Sequence, residues 1–365
     1  MRSFSSTLAF YLGRRFFTTT FLTTLLLGIF VFLLDFVEVT RRLSGKSDIA
    51  SDTAMQLVLL KMPHLLLDIA PFAILLATLV CLSRLNRDSE LIAIRASGVP
   101  ARQFLFPPLI VCFIIGVFNL AALNPFAAAT LKNYQRLEAE IFPGSTHGLV
   151  TKGGHIWLKQ SEKGQDYIIY AKSVQASGTR LDGTTVFRFS HDGDFVQRMD
   201  APQMVMRGKE WRLENVLLMR PGVATERQSS VVLPTNLTPQ DIRNSFSSPQ
   251  TLSVWELGTF IDRLKNTGLP TQAHEMRFQR LLASPLFILA MFLLGAPFAL
   301  HFSRQRSLAN LIVIGVTFGF LFYLFTTFTS AFGMAGRINI MLAAWLPTII
   351  ASLLALSLFL HFREE

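Results

Sequence analysis

The sequence predicts an α-helical membrane protein with six transmembrane helices, three before and three after an inserted all-β domain. Three observations carry this. Uncharged stretches run Phe16 to Leu34, Ile69 to Ser83, Gln103 to Leu131, Leu281 to Leu300, Ser307 to Gly336 and Ile338 to Leu360. Most reach the roughly 20 residues that a helix rising about 1.5 Å per residue needs to cross a hydrocarbon core of about 30 Å. Between the third and fourth stretches the hydrophobic period changes from helical to alternating. Lipid satisfies no backbone polar group, so segments this apolar must be helices, and six of them exclude the buried helices of a large soluble domain.

The first stretch is preceded by Arg2, Arg14 and Arg15, as a signal peptide would be, but its apolar run is too long and no small-residue cleavage site follows Leu34. It reads as a retained anchor. Phe4, Leu8, Tyr11 and Leu12 recur at helical spacing beside the arginines, which suits an interfacial helix leading into the first span. The second stretch is short, and extending it back to Met62 takes in only His64 and Asp68. These two stand at i, i+4, a spacing that serves either a proton relay or a hydrogen-bonded pair facing the bundle.

Between the second and third spans lies Asn86 to Gly98. Ser89 is placed as an N-cap, Glu90 where a helix dipole favours negative charge, and Gly98 as a C-terminal stop. The expectation is a two-turn helix of mixed surface outside the lipid, able to enter a cleft of a partner and carry force into the spans; an ordinary ordered loop helix has the same pattern.

The middle of the chain carries short β-rich segments: Gly154 to Leu158, Tyr167 to Val174, Thr185 to Phe189, Asp194 to Met199, Gln203 to Arg207, Glu210 to Met219 and Ser229 to Leu233. Lys163-Gly164, Asp182-Gly183, Asp192-Gly193 and Pro221-Gly222 are read as turns between them. At least seven strands at this spacing suggest a sandwich or jelly roll. Trp211 and Leu213 alternate with Arg212 and Glu214, so one face is buried there. The pattern then returns to helix, with Trp255, Leu257, Phe260, Ile261 and Leu264 on one side of a segment ended by Gly268 and Pro270. The expected organisation is residues 1–131 as the N-terminal membrane half, 132–250 as the β domain, 251–275 as a connecting helical segment and 276–365 as the C-terminal membrane half.

With the N-terminus inside, Arg2, Arg14, Arg15, Arg84, Arg87, Arg95, Arg102, Arg304, Arg306 and Arg363 fall at cytoplasmic ends, against Arg41, Arg42, Lys46 and Arg337 in short outer loops. The positive-inside rule therefore puts both termini in the cytoplasm and the β domain on the far, periplasmic side. The net charge of +10 is concentrated at membrane boundaries, where anionic head groups explain it better than nucleic acid does. Cys81 and Cys112 both fall in spans and offer neither a disulfide framework nor a metal site. Gly45-Lys46-Ser47 ends like a phosphate-binding loop, but the first glycine it needs is replaced by Thr40 and no strand precedes it. The chain is expected not to be an enzyme, and no catalytic, cofactor or metal residue is assigned.

The run Ser89-Glu90-Leu91 with Arg95-Ala96-Ser97-Gly98, the tract Thr235 to Pro239, the span Phe278 to Pro297, and Gly315 to Tyr323 followed by Trp345-Leu346-Pro347 resemble the lipopolysaccharide export permease family, LptF and LptG. The likeness covers essentially the whole chain and is nearer the LptG branch through Gly319 to Tyr323 and the Asn236-Leu237-Thr238-Pro239 run. The resemblance implies an inner-membrane permease subunit of an ATP-driven transporter that extracts lipopolysaccharide and passes it to a periplasmic bridge. It implies a jelly-roll fold for the β domain, an LptF-like sister permease in a heterodimer, an LptB-like cytoplasmic ATPase dimer that binds the ATP and Mg, and LptC-like and LptA-like bridge proteins.

By the same resemblance Ser89, Glu90, Leu91, Ile94, Arg95 and Gly98 form the helix that couples to the ATPase, with Glu90 as the charge that meets it. Basic residues at the outer end of the first span, here Arg41 and Arg42, would approach the phosphorylated sugar, since a guanidinium offers phosphate a planar fork of donors. Anchoring a helix end to head groups is an equal use for them. Asp35, one turn earlier, departs from the lysine that LptG-like chains can carry. Phe318, Phe322 and Phe325 recur at helical spacing on the fifth span, as a cavity for acyl chains or contact with neighbouring helices would require. A mechanotransmitting subunit that moves no lipid, and a secondary transporter, are the alternative readings of the same layout.

Overall fold

The computed structural model describes residues 6–43, 51–96, 99–141, 156–162, 165–174, 179–190, 194–208, 210–235, 248–266, 271–302 and 308–361. In chain order these form α1 (Ser6–Leu43), α2 (Ser51–Arg87), α3 (Glu90–Ala96), α4 (Ala101–Phe118), α5 (Asn124–Ile141), strands β1 (Ile156–Glu162), β2 (Gln165–Val174), β3 (Arg180–Phe189), β4 (Phe195–Arg207), β5 (Glu210–Met219) and β6 (Glu226–Pro234), then α6 (Val254–Asn266), α7 (Gln272–Phe302), α8 (Leu308–Met334) and α9 (Ile340–His361). Two compact units result. One holds Met1–Leu137, Leu252–Trp255 and Glu275–Glu365; the other holds Glu138–Thr251 and Glu256–His274.

Six helical runs among the described residues are long and apolar enough to cross a membrane: α1, α2, α4 with α5, α7, α8 and α9. The interfacial stretch expected before the first span is not a separate helix. From Ser6 the chain continues without interruption for 38 residues, because a break there would expose backbone groups that lipid cannot satisfy. One cluster of buried side chains joins Leu12 and Phe16 of α1, Ile74 and Leu82 of α2, Leu91 and Ile94 of α3, Phe104 and Cys112 of α4, and Phe292 and Ala296 of α7. Phe16 meets Phe292 edge to face, with centroids 5.3 Å apart.

Lipid tails are as apolar as leucine, so the helices are held by close packing rather than by escape from water, and small residues mark the contacts. A Cβ on Gly116 of α4 would lie 2.9 Å from the Pro285 Cα of α7. Gly315 and Gly319, one turn apart on α8, let that helix approach Leu76, Leu79 and Phe72 of α2. The helices are not equally enclosed: the most apolar window of α7 is 67% buried, that of α8 22% and that of α1 11%. Thus α1 and α8 each turn a broad apolar surface away from the bundle.

The β unit is a single six-stranded antiparallel sheet in the order β1-β2-β3-β4-β5-β6, so each described strand pairs with its neighbour in sequence. Two sequence expectations change. Asp194 to Met199 and Gln203 to Arg207 are one strand, β4, running through Ala201 and Pro202; and Asp182-Gly183, read as a turn, lies inside β3. Both changes have the same cause. Lys172, Gly183, Pro202, Asn215 and Ser229 stand side by side in register, and each is skipped in the pairing of its strand.

Across that line the buried positions change parity. In β3 they pass from Leu181 to Thr184 and Val186, in β4 from Ala201 to Met204 and Met206, and in β5 from Leu213 to Val216 and Leu218. Gly183 at φ 60° and Asn215 at φ 54° supply the left-handed backbone, and Pro202 fits only where no ladder bond is needed. The result is a transverse crease, the multi-strand form of a β-bulge, which bends the sheet while keeping one face buried. Of the expected turns, Pro221-Gly222 is one, with Gly222 at φ 74° and Val223 N donating to Arg220 O at 3.3 Å. Lys163-Gly164 and Asp192-Gly193 lie outside the described residues. Gly183→Val should destabilise the β unit by about 2 kcal/mol, since a β-branched side chain must take the left-handed backbone and also meet the Lys172 side chain; an unchanged melting temperature would mean that the crease does not need it.

Candidate functional site

The helix expected to couple to a partner is formed, and its entry differs from the expectation. At the end of α2, Asp88 N donates to Arg84 O at 2.9 Å and Ser89 N to Asn86 O at 3.3 Å. Ser89 then takes φ 60°, not the extended backbone of a side-chain N-cap, and its carbonyl accepts from Ala93 N at 3.1 Å. The serine is therefore the chain-reversing residue between two helices. A single left-handed step folds α3 back without any loop.

The faces of α3 are now assigned. Leu91 is 2% and Ile94 9% exposed, both inside the cluster with Leu12 and Phe16. Ile92, at 40%, points outward together with Ala93 and Ala96. Two residues assigned to coupling from the sequence, Leu91 and Ile94, thus fasten the helix to its own bundle, and the outward surface comes from their neighbours. Arg95 lies in α3, its side chain outside the description, and Gly98 is outside the described residues.

Glu90 does not stand alone. Its Oε1 accepts from Arg15 Nη1 at 2.5 Å and its Oε2 from the Tyr11 hydroxyl at 2.9 Å. The other guanidinium nitrogen of Arg15 donates to Asp88 Oδ2 at 2.9 Å, and Nη1 also reaches the Tyr11 oxygen at 2.6 Å. Sequence reading missed this network because its members are more than seventy residues apart. The available signal was a tyrosine and an arginine at i, i+4 on α1, which put both side chains on one face.

At the other end of α1, Arg41 and Arg42 both pair with Glu38, at 2.7 and 2.9 Å. Their side chains stay 76% and 54% exposed beside the carboxylate they share. Asp35 is mostly buried and its charge is met by Lys61 of α2 at 2.5 Å; Lys61 also lies over the Tyr134 ring at 5.8 Å. The acidic departure at position 35 therefore adds no repulsion for an anion. His64 Nε2 is 3.6 Å from Asp68 Oδ2, longer than a hydrogen bond.

Phe322 is 5% exposed and packs with Leu75, Met291 and Ala351, Phe318 meets Phe298 at 5.2 Å, and Phe325 is half-buried. The stripe read from helical spacing is the inward side of α8 at Phe318 and Phe322. Phe320, Phe328 and Phe332 form the exposed side instead.

Within the helical unit a second junction ties the start of α6 to the third span. A π-turn at Asn119–Leu123 displaces the helical ladder, and Ala121 O accepts from the Trp255 indole at 3.4 Å. Asn124 Oδ1 accepts from the buried Val254 N at 2.8 Å. Asn124→Ala would strand that donor and should cost about 1 to 2 kcal/mol. The expected readout is a lower melting temperature with faster amide exchange at Val254; unchanged exchange there would refute the role.

Among the described residues no group of His, Cys, Asp and Glu could hold a metal ion, and Cys81 and Cys112 are buried and free. Comparison with known proteins gives one consistent result. The family model for the lipopolysaccharide export system permease LptF/LptG matches residues 10–361. The chain is similar to the lipopolysaccharide export system permease protein LptG of Escherichia coli strain K12, 25% identical over 97% of this chain and 98% of that protein. It is similar to LptG of Haemophilus influenzae at 24% identity, over 94% of this chain and 96% of that protein.

Proposed function

The chain belongs to the lipopolysaccharide export system permease LptF/LptG family, and from that premise we propose how it couples ATP use to lipid extraction. It is a multi-pass inner-membrane permease subunit for lipopolysaccharide export, not itself an ATPase. It works beside an LptF-like sister permease. An LptB-like ATPase dimer, which holds the ATP and Mg, docks on the cytoplasmic side, and LptC-like and LptA-like proteins receive the lipid beyond the periplasmic β domain.

The observation that carries this reading is α3: a short helix anchored by Leu91 and Ile94, with Ile92, Ala93 and Ala96 turned outward. That outward surface, with Glu90 at its edge, is what the ATPase engages. The bare flanks of α1 and α8 support a cavity shared with the sister chain, in which acyl chains meet Phe320, Phe325 and Phe328. Phe318 and Phe322 hold α8 in place behind that surface. Arg41 and Arg42 meet the lipid phosphates. ATP-driven closure of the ATPase dimer must favour the collapsed cavity over the open one, because a partner shifts only states that it binds differently.

The test is reconstitution of the chain with its sister permease and ATPase, recording ATP-dependent photocrosslinking of lipopolysaccharide first in the membrane cavity and then on the β domain. Transfer supports the extractor; ATP hydrolysis by an intact complex without transfer favours a mechanotransmitting subunit. In the same assay the Arg41→Ala, Arg42→Ala double variant should retain lipopolysaccharide roughly tenfold less well, the loss of about one charge-assisted contact. Undiminished crosslinking at the cavity would remove the two arginines from the site.

A further inference from the structure

We propose that Arg15 is a positioning residue of the transport cycle: it locks α3 to α1, so that a displacement of α3 passes directly into the first span. The inference rests on the coupling role of α3 given above and adds the route by which movement leaves that helix.

Four side chains build the lock. Arg15 reaches Glu90 with one nitrogen and Asp88 with the other, and Tyr11 takes the second oxygen of Glu90. Both carboxylate oxygens of Glu90 are thus held by α1. A planar fork spanning two carboxylates fixes direction as well as distance, which a lysine or a single contact would not do. The Arg15 side chain is only 24% exposed, so the pairing is screened less than a surface ion pair.

Apolar contact runs beside the polar one. Leu12 and Phe16, on the same helix as Arg15, share their cluster with Leu91 and Ile94. The same cluster takes in Leu82 and Leu85 of α2, so α3 rests on both helices, and the Arg15 fork is what ties its movement to α1.

Charge makes the lock compatible with docking. One arginine faces two carboxylates, so the set keeps a net negative charge, with Asp88 54% and Glu90 34% exposed at the side chain. A basic surface on the ATPase can approach that charge while Arg15 holds the carboxylates from behind.

The experiment compares Arg15→Met, Arg15→Lys and the native chain in the full complex with sister permease and ATPase. Three quantities are read: co-purification of the ATPase, lipid transported per ATP hydrolysed, and the distance between spin labels on Phe10→Cys of α1 and Ser89→Cys, the exposed residue that opens α3, with and without ATP. Arg15→Met should keep the ATPase bound while transport per ATP falls roughly tenfold, and its label distance should widen on ATP binding. Arg15→Lys, which keeps a positive charge beside Glu90 but cannot span both carboxylates as a planar fork, should recover the transport only in part. In the native chain the distance should stay constant through the cycle. Native transport per ATP and constant distance in Arg15→Met would overturn the lock. If the ATPase engages another element, the label distances still report the lock, whereas insensitivity of docking to Ile92→Asp sinks the coupling reading alone.

Discussion

Replacing Gly116 with leucine is expected to cost the helical unit about 3 kcal/mol. The atoms in the way are backbone: Pro285 Cα at 2.9 Å and Pro285 O at 3.4 Å from the new Cβ. A flexible neighbour would swing aside, as the leucine tips facing Gly315 can, but a proline within α7 cannot. The helices must separate, and in lipid the lost packing is not offset by any gain in hydration. Gly13 is the control, since its added Cβ meets only Val111 at an ordinary 3.6 Å. Gly13→Ala should be neutral or slightly stabilising through helix propensity. Thermal unfolding of the purified protein in lipid nanodiscs checks both. Equal melting of Gly116→Leu and the native chain would mean that α4 and α7 do not touch there.

The second large effect separates two adjacent residues of α3. Leu91→Ala leaves a cavity under the helix and should cost about 2 to 5 kcal/mol, lowering the melting temperature of the permease on its own. Ile92→Asp changes an outward residue and should leave stability within about 0.5 kcal/mol. It should nevertheless weaken ATPase co-purification by roughly a hundredfold, because the apolar contact of Ile92 is lost and a charge must be desolvated in its place. The measurement is a pair of curves, unfolding and ATPase binding, for each variant. Opposite assignments, with Ile92→Asp unfolding the permease and Leu91→Ala only releasing the ATPase, would reverse the faces of α3.

The spans were legible because length and apolarity in lipid leave the backbone no choice: four of the six uncharged stretches lie wholly within helices, the fifth runs past the end of α8 at Ala335 and Gly336, and the sixth begins two residues before α9. The β domain was legible as a class and misread in detail. Gly183 and Pro202 carry the local chemistry of chain reversal, and a single sequence does not say whether a left-handed or ladder-breaking residue ends a strand or creases it. That depends on whether the neighbouring strands place similar residues at the same level, as Asn215 and Ser229 show. For the candidate site, the spacing around Ser89 announced a helix, but it did not say that Leu91 and Ile94 point inward. A seven-residue helix is too short for its periodicity to single out a buried face before its support is known.

The sequence by itself determined what each residue needs: apolar segments needed helices, alternating ones needed a sheet, and arginines needed the membrane boundary or an anion. Those needs are local, set by backbone hydrogen bonding and transfer free energy. Only the tertiary structure decided who supplies each partner. Arg15 finds Glu90 and Asp88, Asp35 finds Lys61, and Gly116 finds Pro285, all across separations that no local rule spans. The physical reason is that pairing and close packing are properties of surfaces in contact, and which surfaces meet is fixed only when the helices are assembled.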